Sequence, residues 1–279
     1  MKNQPIGVFD SGVGGLTAIS NIIRELPNER LIYFGDTART PYGSKAKSTI
    51  TRFANQIVDF LVSNHVKMIV IACNTITSIC LEQLKQQYPN IPIVGIIEPA
   101  ARKVAKICTP HNRIGIIGTK VTIQAKTYIH SILHFNPDLK LFDKACPIFV
   151  PLIEEGIVEN SIMELAVKYY LDDFISENKI DTLVLGCTHY PLIRPTIEKL
   201  YPHLNIIDPS FEIMQSVKET LTQKGLLAEE PKYENIFYAS DLSENFMNMI
   251  ASIFGKTNVR TDFKNFDLDG LESKENKSY

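Results

Sequence analysis

Short apolar runs rich in isoleucine and valine alternate along the chain with longer segments whose apolar residues recur at helical spacing. Most of the runs are continuous, as expected for strands covered on both faces of a sheet. They predict strands at residues 6–9, 31–35, 67–72, 91–97, 113–118, 139–142, 182–186 and 205–208. Helices are predicted over 16–27, 48–64 and 161–178, and the last should begin with a capping pair formed by Ser161 and Glu164.

This alternation of strand and helix predicts an α/β protein with largely parallel sheets. A length of 279 residues favours two such sheets over one. No linker rich in glycine or serine separates them, but boundaries are expected near residue 98 and near Asp208-Pro209. The polar stretch at the C-terminus is expected to fray.

Composition excludes several classes of function. The chain is 44% hydrophobic and 22% charged, with a formal net charge of −2, which suits a soluble globular protein and gives no reason to expect nucleic-acid binding. The N-terminus lacks the apolar run of a signal peptide, and no stretch reaches the roughly 18 consecutive apolar residues of a membrane span. We therefore expect a cytoplasmic protein without membrane or nucleic-acid partners.

The cysteines are odd in number, and no two of them form a C-x-x-C pair. These features argue against a disulfide framework and against a structural zinc site. Simple burial is therefore the starting interpretation for each of them: Cys73, Cys80, Cys108, Cys146 and Cys187.

The first strand ends in a glycine-rich turn, FDSGVGGL, at residues 9–16. Such a turn at a helix start can bind an anion, although the dinucleotide fingerprint fails because Thr17 stands where its last glycine should be. Asp10 and Ser11 place a carboxylate and a hydroxyl at the carboxyl end of the strand, where open α/β sheets bind ligands. The second strand ends in GDTARTPYGSK at 35–45, which is either an ordinary loop or a pocket lined by the amides of Tyr42-Gly43-Ser44.

Two of the cysteines occupy matched positions in IVIACNTIT, at 69–77, and TLVLGCTHYP, at 182–191. In each, an apolar strand ends in a small residue and a cysteine, and polar residues follow where a helix N-terminus should lower the pKa of the thiol. Facing thiols in one cleft suit the removal of a proton from one face of a carbon and its delivery to the other. A nucleophilic role would need only one of them with a paired base, and a redox role would need them within bonding distance.

Taken together, FDSGVGGLT, GDTARTPYGSK, ACNTIT and GCTHYPLI resemble the glutamate racemases of the cofactor-independent aspartate/glutamate racemase superfamily. Aspartate racemases share the paired cysteines but typically carry glutamate where this chain has His189. The resemblance implies two pseudo-symmetric α/β domains, residues 1–97 with 209–265 and residues 98–208, a tail at 266–279, and an active site in the cleft between the domains. It also implies a homodimer that interconverts L- and D-glutamate and supplies D-glutamate for bacterial peptidoglycan.

The resemblance assigns roles to single residues. Cys73 would act on D-glutamate and Cys187 on L-glutamate, without pyridoxal phosphate or metal, assisted by Asp10, Glu154 and His189. The pairs that would bind the substrate are Asp10-Ser11, Tyr42-Gly43, Asn74-Thr75 and Thr188-His189. From the residues alone, His189 could equally be a core or surface histidine, and Glu154 could be a simple helix-end charge.

Two other functions compete with this interpretation. One is racemisation of aspartate or another acidic amino acid, against which His189 argues. The other is nucleotide binding by FDSGVGG, against which the incomplete fingerprint argues.

Overall fold

The structure is a computed structural model that describes residues 1–229, 234–254, 259–264 and 266. The predicted tail, 266–279, lies outside the described residues apart from Phe266.

The strands of the described residues form two parallel sheets, which confirms the predicted fold class. In chain order they are β1 Ile6–Asp10, β2 Leu31–Gly35, β3 Met68–Ile71, β4 Ile93–Gly95, β5 Arg113–Gly118, β6 Lys140–Ala145, β7 Thr182–Gly186, β8 Asn205–Ile207, β9 Asn235–Ala239 and β10 Val259–Phe263. The first sheet has the order β10-β9-β2-β1-β3-β4, and the second has the order β6-β5-β7-β8. Sequence patterns predicted the first eight strands but neither β9 nor β10, whose runs mix apolar with polar residues.

Helices fill the connections between the strands and cover the sheets. They are α1 Leu16–Glu25, α2 Lys47–Ser63, α3 Asn74–Gln87, α4 Ile97–Ile107, α5 Lys120–Ala125, α6 Thr127–Phe135, α7 Phe149–Glu154, α8 Ser161–Asn178, α9 Arg194–Leu200, α10 Pro209–Gln223 and α11 Glu244–Phe254. Short 3₁₀ turns occur at Thr37–Arg39, Tyr42–Ser44 and Tyr190–Ile193. None of the helices in the described part of the chain is long and apolar enough to cross a membrane.

Helix α2 shows how the sequence pattern becomes packing. Its buried residues are spaced three or four apart and form one stripe: Ile50, Phe53, Ala54, Ile57, Val58 and Leu61. This stripe packs on one face of the first sheet in an apolar cluster that includes Phe9 and Ile69. On the same strands Val8 and Val70 belong to the cluster on the other side, which explains why these runs are apolar without alternation.

The predicted capping pair of α8 is wrong by one residue. Asn160, not Ser161, is the N-cap, because its extended backbone lets its Oδ1 accept hydrogen bonds from the amides of Ile162 and Met163 at 3.1 Å. Glu164 does not complete a capping box but pairs with Lys199 at 2.6 Å.

We call strands β1–β4 with β9 and β10 and the helices on them the first lobe, and strands β5–β8 with their helices the second lobe. The chain leaves the first sheet after β4 and returns to it with β9. From this path we propose that the domains divide as predicted, into 1–97 with 209–265 and 98–208. The carboxyl ends of β1, β3 and β7 carry most of the predicted site residues, which meet where the lobes touch. Tyr42 and Gly43 follow β2, and Glu154 ends α7.

Candidate active site

A small cavity lies between the lobes at the ends of these strands, with a volume of about 20 Å³. Its walls include most of the predicted residues, namely Ser11, Tyr42, Gly43, Cys73, Asn74 and Thr75 from the first lobe and Cys187, Thr188 and His189 from the second. A larger depression of about 740 Å³ between α3, α4 and α6 contains neither cysteine. The structure therefore brings the two matched cysteines to the wall of one small cavity.

Cys73 is the residue that immediately precedes α3, and its thiol is buried. Its Sγ donates a hydrogen bond to Ser11 Oγ at 3.4 Å. Burial and the nearby Asp10 carboxylate raise the pKa of Cys73, and hydrogen bonding with Ser11 and with the Ile76 backbone only partly offsets them. We predicted that the helix terminus would lower the pKa of Cys73. That prediction is wrong, because desolvation outweighs the helix dipole and the pKa is raised.

Cys187 has a different setting. The turn after β7 leads into the 3₁₀ segment Tyr190–Ile193, and α9 begins only at Arg194. The prediction that a helix N-terminus follows this cysteine directly is thus wrong. What stands beside the sulfur is instead the His189 imidazole, whose Nδ1 lies 3.9 Å from Cys187 Sγ.

His189 connects Cys187 to Glu154. Its Nε2 lies 2.5 Å from the Oε1 of Glu154, at the end of α7. Burial would lower the pKa of His189, but its hydrogen bonds to Cys187 and Glu154 and their negative charges outweigh burial and raise it well above its ordinary value. The arrangement can therefore hold an imidazolium beside the Cys187 sulfur.

Asp10 lies behind the cavity wall and is fully buried. Its Oδ2 accepts the Gly15 amide at 2.8 Å, and Thr188 Oγ1 of the second lobe donates weakly to both carboxylate oxygens at 3.4 Å. Burial raises the pKa of Asp10, although the charge of His189 and the amides of Gly15, Ser11 and Gly12 lower it in part. Asp10 is thus a buried carboxyl group, shared between the lobes, whose protonated form burial favours.

In the described part of the chain, hydrogen-bond donors without partners occur on residues of the cavity wall. Asn74 Nδ2 and Thr40 Oγ1 are both buried and have no hydrogen-bond partner among the described residues. Thr75 Oγ1 lies 3.0 Å from Thr119 Oγ1 and 3.3 Å from Thr122 Oγ1, so three hydroxyls form a cluster across the lobes. Neutral donors of this kind suit carboxylates, which accept hydrogen bonds and donate none when ionised.

Arg39, the one arginine inside the quoted site motifs, binds residues outside the cavity wall. Arg39 Nε binds Asp36 Oδ2 at 2.8 Å, and its guanidinium stacks 4.0 Å from the centre of the Phe53 ring. Tyr42 donates its hydroxyl to the same Asp36 carboxylate, so Tyr42 supports the loop with its side chain. In the described residues, no lysine or arginine lines the cavity.

Two glycines permit the lobes to touch. A Cβ on Gly14 would lie 2.6 Å from Thr188 Oγ1 and 2.8 Å from His189 Nδ1. A Cβ on Gly43 would overlap the side chain of Thr119. These positions require glycine because backbone from one lobe approaches the other closely.

The remaining cysteines, Cys80, Cys108 and Cys146, are free, buried and outside the cavity, in agreement with the structural interpretation given to them. Burial raises the pKa of Cys80 to about 11, despite its hydrogen bond to Thr51. The described residues hold no group of three or more His, Cys, Asp or Glu side chains that could bind a metal ion.

Sequence reasoning missed four residues that line the cavity: Thr40, Pro41, Thr119 and Val150. Thr119 follows β5, so a polar residue at the end of an apolar run was an available signal. Thr40 and Pro41 lie inside the quoted motif GDTARTPYGSK. For Val150 no signal existed, since an apolar residue in a helix usually indicates core.

Comparison with known proteins identifies relatives across most of the chain. The profile of the Asp/Glu/hydantoin racemase family matches residues 6–216. The chain is 47% identical over 216 residues to the glutamate racemase of Sulfurihydrogenibium sp. (strain YO3AOP1), which covers 77% of this chain and 82% of that protein. It is 42% identical over 259 residues to the glutamate racemase of Neisseria meningitidis serogroup B, which covers 92% and 94%.

A solved structure shares the whole architecture. The crystal structure of glutamate racemase from Francisella tularensis in complex with D-glutamate aligns with a TM-score of 0.88 at 37% identity. The alignment covers 97% of this chain and 100% of that one.

Proposed function

The chain belongs to the Asp/Glu/hydantoin racemase family, and from this premise we propose that it interconverts L-glutamate and D-glutamate by a two-base reaction at the α-carbon. The observation that carries the proposal is the small cavity between the lobes, whose walls contain both Cys73 and Cys187. Relatives of similar length are glutamate racemases, which supports glutamate as the substrate.

The proton balance needs only the two cysteines and the substrate. From L-glutamate, the Cys187 thiolate removes the α-proton and leaves the electron pair on carbon, and the Cys73 thiol delivers its proton to the opposite face. The product is D-glutamate, with Cys187 now a thiol and Cys73 a thiolate. From D-glutamate the same steps run in reverse.

The two sulfurs have different neighbours, which supports a separate role for each. Beside Cys187 lies the His189 imidazole, which is held by Glu154 and can serve as its proton-transfer partner. Burial and the nearby Asp10 carboxylate raise the pKa of Cys73, which favours its thiol form. His189 and Asp10 are the groups to which we assign the return of the two cysteines to their starting protonation states.

Neutral donors would bind the substrate carboxylates. Asn74 Nδ2, Thr40 Oγ1 and the Thr188 hydroxyl all lie at the cavity without a strong partner of their own. A permanent cation beside the α-carboxylate would also stabilise a thiolate, and the pairing of Arg39 with Asp36 keeps it away from both. The other predicted binding residues in the cavity wall are Ser11, Tyr42, Gly43, Thr75 and His189, and Asp10 lies behind the wall.

The lobes must separate for substrate to enter. A volume of about 20 Å³ holds no more than about one water molecule. On reclosing, Gly14 returns against Thr188 and water is excluded, which strengthens every electrostatic interaction at the reacting carbon. Desolvation is thus the contribution we assign to closure in making a weakly acidic α-proton removable.

Isotope incorporation tests the reaction directly. The protein, dialysed against a chelator and given no cofactor, should convert either enantiomer of glutamate in D₂O into its mirror image carrying α-deuterium. Circular dichroism should show no comparable change with aspartate, alanine or glutamine. Faster racemisation of aspartate, or inverted product without deuterium, would contradict the proposal.

In the cell we propose a cytoplasmic role that supplies D-glutamate for peptidoglycan. The resemblance of the site motifs supports this, and the chemistry fits because the product is a free D-amino acid. Depletion of the protein in its host should halt growth unless D-glutamate is added. Growth that continues without either would contradict the role.

We also propose that the protein is a homodimer. Helix α8 exposes Ile162, Leu165 and Tyr169, at 53%, 68% and 79%, on one face, and such a stripe is typical of a protein interface. Sedimentation equilibrium should give a dimer that Leu165→Glu converts to a monomer. Leu242→Glu, an exposed leucine elsewhere, serves as the control. A monomeric wild type would refute the dimer, and a dimeric Leu165→Glu variant would refute this face.

A further inference from the structure

Tyr128 of the second lobe contacts both catalytic strand ends. Its hydroxyl donates a 2.6 Å hydrogen bond to Asn74 Oδ1, on the residue that follows Cys73. A Cβ on Gly186, the residue before Cys187, would lie 3.1 Å from the Cε2 of its ring. Tyr128 is buried at the start of α6 and lies outside all of the sequence motifs quoted above.

The hydrogen bond decides which way the Asn74 amide faces. A tyrosine hydroxyl that donates to the amide oxygen leaves the NH₂ group for the other side. That NH₂ group is buried, has no partner in the described residues, and belongs to a residue of the cavity wall. The opposite orientation would place a carbonyl oxygen toward the cavity, where it would repel a carboxylate.

The tyrosine is a dependable donor. Burial, and to a lesser extent the charges of Asp208 and Cys187, raise its pKa well above the ordinary value, so the hydroxyl stays protonated over the working pH range. Neighbouring contacts hold the same helix ends together: Thr127 Oγ1 donates to the Ser78 carbonyl at 3.4 Å, and Ser78 Oγ donates to the Asn74 carbonyl at 2.8 Å.

We propose that Tyr128 is a positioning residue for glutamate racemisation, which fixes the Asn74 amide as a donor to the substrate carboxylate when the lobes close. The inference rests on the proposed function and adds a residue from the opposite lobe to it. Tyr128 does not touch the reacting atoms. It acts through Asn74 and through the support that its ring gives to the peptide before Cys187.

Tyr128→Phe keeps the ring and removes only the hydroxyl. We expect KM to rise about tenfold for both enantiomers, the equivalent of one hydrogen bond to an oriented amide, while kcat changes less than about threefold. Tyr190→Phe is the matched control, because that hydroxyl is equally buried but donates to the Cys146 carbonyl at 2.9 Å. It should lower the melting temperature as much as Tyr128→Phe does and leave KM unchanged.

A double-mutant cycle distinguishes positioning from a general loss of structure. In an Asn74→Ala background, Tyr128→Phe should add nothing to KM, because the residue it acts through is gone. An unchanged KM in the single variant, or an additive rise in the double variant, would overturn the inference while leaving the racemase proposal intact.

D-Glutamate binding measured by calorimetry gives a second readout, in which the dissociation constant should follow KM. If wild-type protein binds glutamate without racemising it, the same cycle on the dissociation constant decides the role of Tyr128. If wild-type protein neither racemises nor binds glutamate, both proposals are refuted.

Discussion

The strand ends at Cys73 and Cys187 carry the same residue in similar local sequence, yet different groups stand beside the two sulfurs. Cys73 immediately precedes an α-helix and has Ser11 and the Asp10 carboxylate near its sulfur, whereas Cys187 precedes a 3₁₀ segment and has an imidazole held by Glu154 beside it. The two sulfurs therefore have different proton-transfer partners. Equal positions in the two lobes are thus given unequal chemistry by their neighbours.

Replacement of either thiol should have the largest effect. Cys73→Ser and Cys187→Ser should each reduce racemisation by at least about 10³-fold, because a serine hydroxyl is a far weaker acid than a thiol and is not ionised at working pH. Polarimetry with each enantiomer measures the loss. Cys80→Ser, at a buried thiol outside the cavity, should retain full activity. Normal turnover by either site variant would exclude the two-base mechanism.

The next largest effect should come from His189→Asn, which removes the imidazolium beside Cys187. We expect kcat/KM to fall about 10²-fold. The fall must be equal for the two enantiomers, because they have equal free energy and the ratio of the two kcat/KM values is therefore fixed at one. The distinguishing measurement is the α-deuterium isotope effect on kcat/KM. It should rise for labelled L-glutamate and fall for labelled D-glutamate, since proton transfer at Cys187 becomes limiting. Equal isotope effects would show that His189 does not serve one sulfur.

A smaller, pH-dependent effect is expected from Glu154→Gln. The raised pKa of His189 means that its protonated form is stabilised in the folded protein, so this contribution is present below the ordinary pKa and is lost as pH rises through the raised value. Removing Glu154 takes away one cause of the rise, so the loss should begin at lower pH.

Profiles of kcat against pH for L-glutamate should reveal this shift. We expect the variant to lose about tenfold at pH about 8 and less than about twofold at pH about 6. Thermal melts over the same range should show stability falling earlier in the variant as pH rises. An alkaline limb that does not move would contradict the coupling between Glu154 and His189.

Ser11→Ala should give the smallest change and the mirror image of the His189 result. It removes the hydroxyl that accepts a hydrogen bond from Cys73 at 3.4 Å, and one weak hydrogen bond corresponds to about two- to fivefold in kcat/KM. Here the isotope effect should rise with labelled D-glutamate and fall with labelled L-glutamate. The same direction of change as in His189→Asn would contradict the assignment of one sulfur to each enantiomer.

Much of the fold could be predicted because its causes are local. Strands covered on both faces need continuous apolar runs, and IGVFD, LIYFG and TLVLG are fully buried as their composition predicts. Strands β9 and β10 were missed because NIFYA and VRTDF include polar positions, with β10 at the sheet edge. The cap of α8 was misplaced because Asn160 and Ser161 are both good caps in sequence, and only backbone geometry distinguishes them.

The candidate site was predicted through its motifs, and the structure gathers those motifs at one cavity. What could not be predicted is how the charged groups pair. Asp36 looked like part of an ordinary loop, yet it is buried and binds Arg39, Tyr42 and Ser240. Whether a carboxylate faces the substrate or supports a loop depends on which side chains surround it, and the sequence does not give those distances.

By itself the sequence determined the α/β architecture, the two cysteines at strand ends and the polar residues that follow them, because periodicity and strand-end chemistry are properties of neighbouring residues. Only the tertiary structure decided that His189 pairs with Glu154, that Tyr128 orients Asn74 across the lobes, and that burial raises the pKa of Cys73. Each of these depends on desolvation and on distances of a few ångströms between residues far apart in the chain, which packing alone sets.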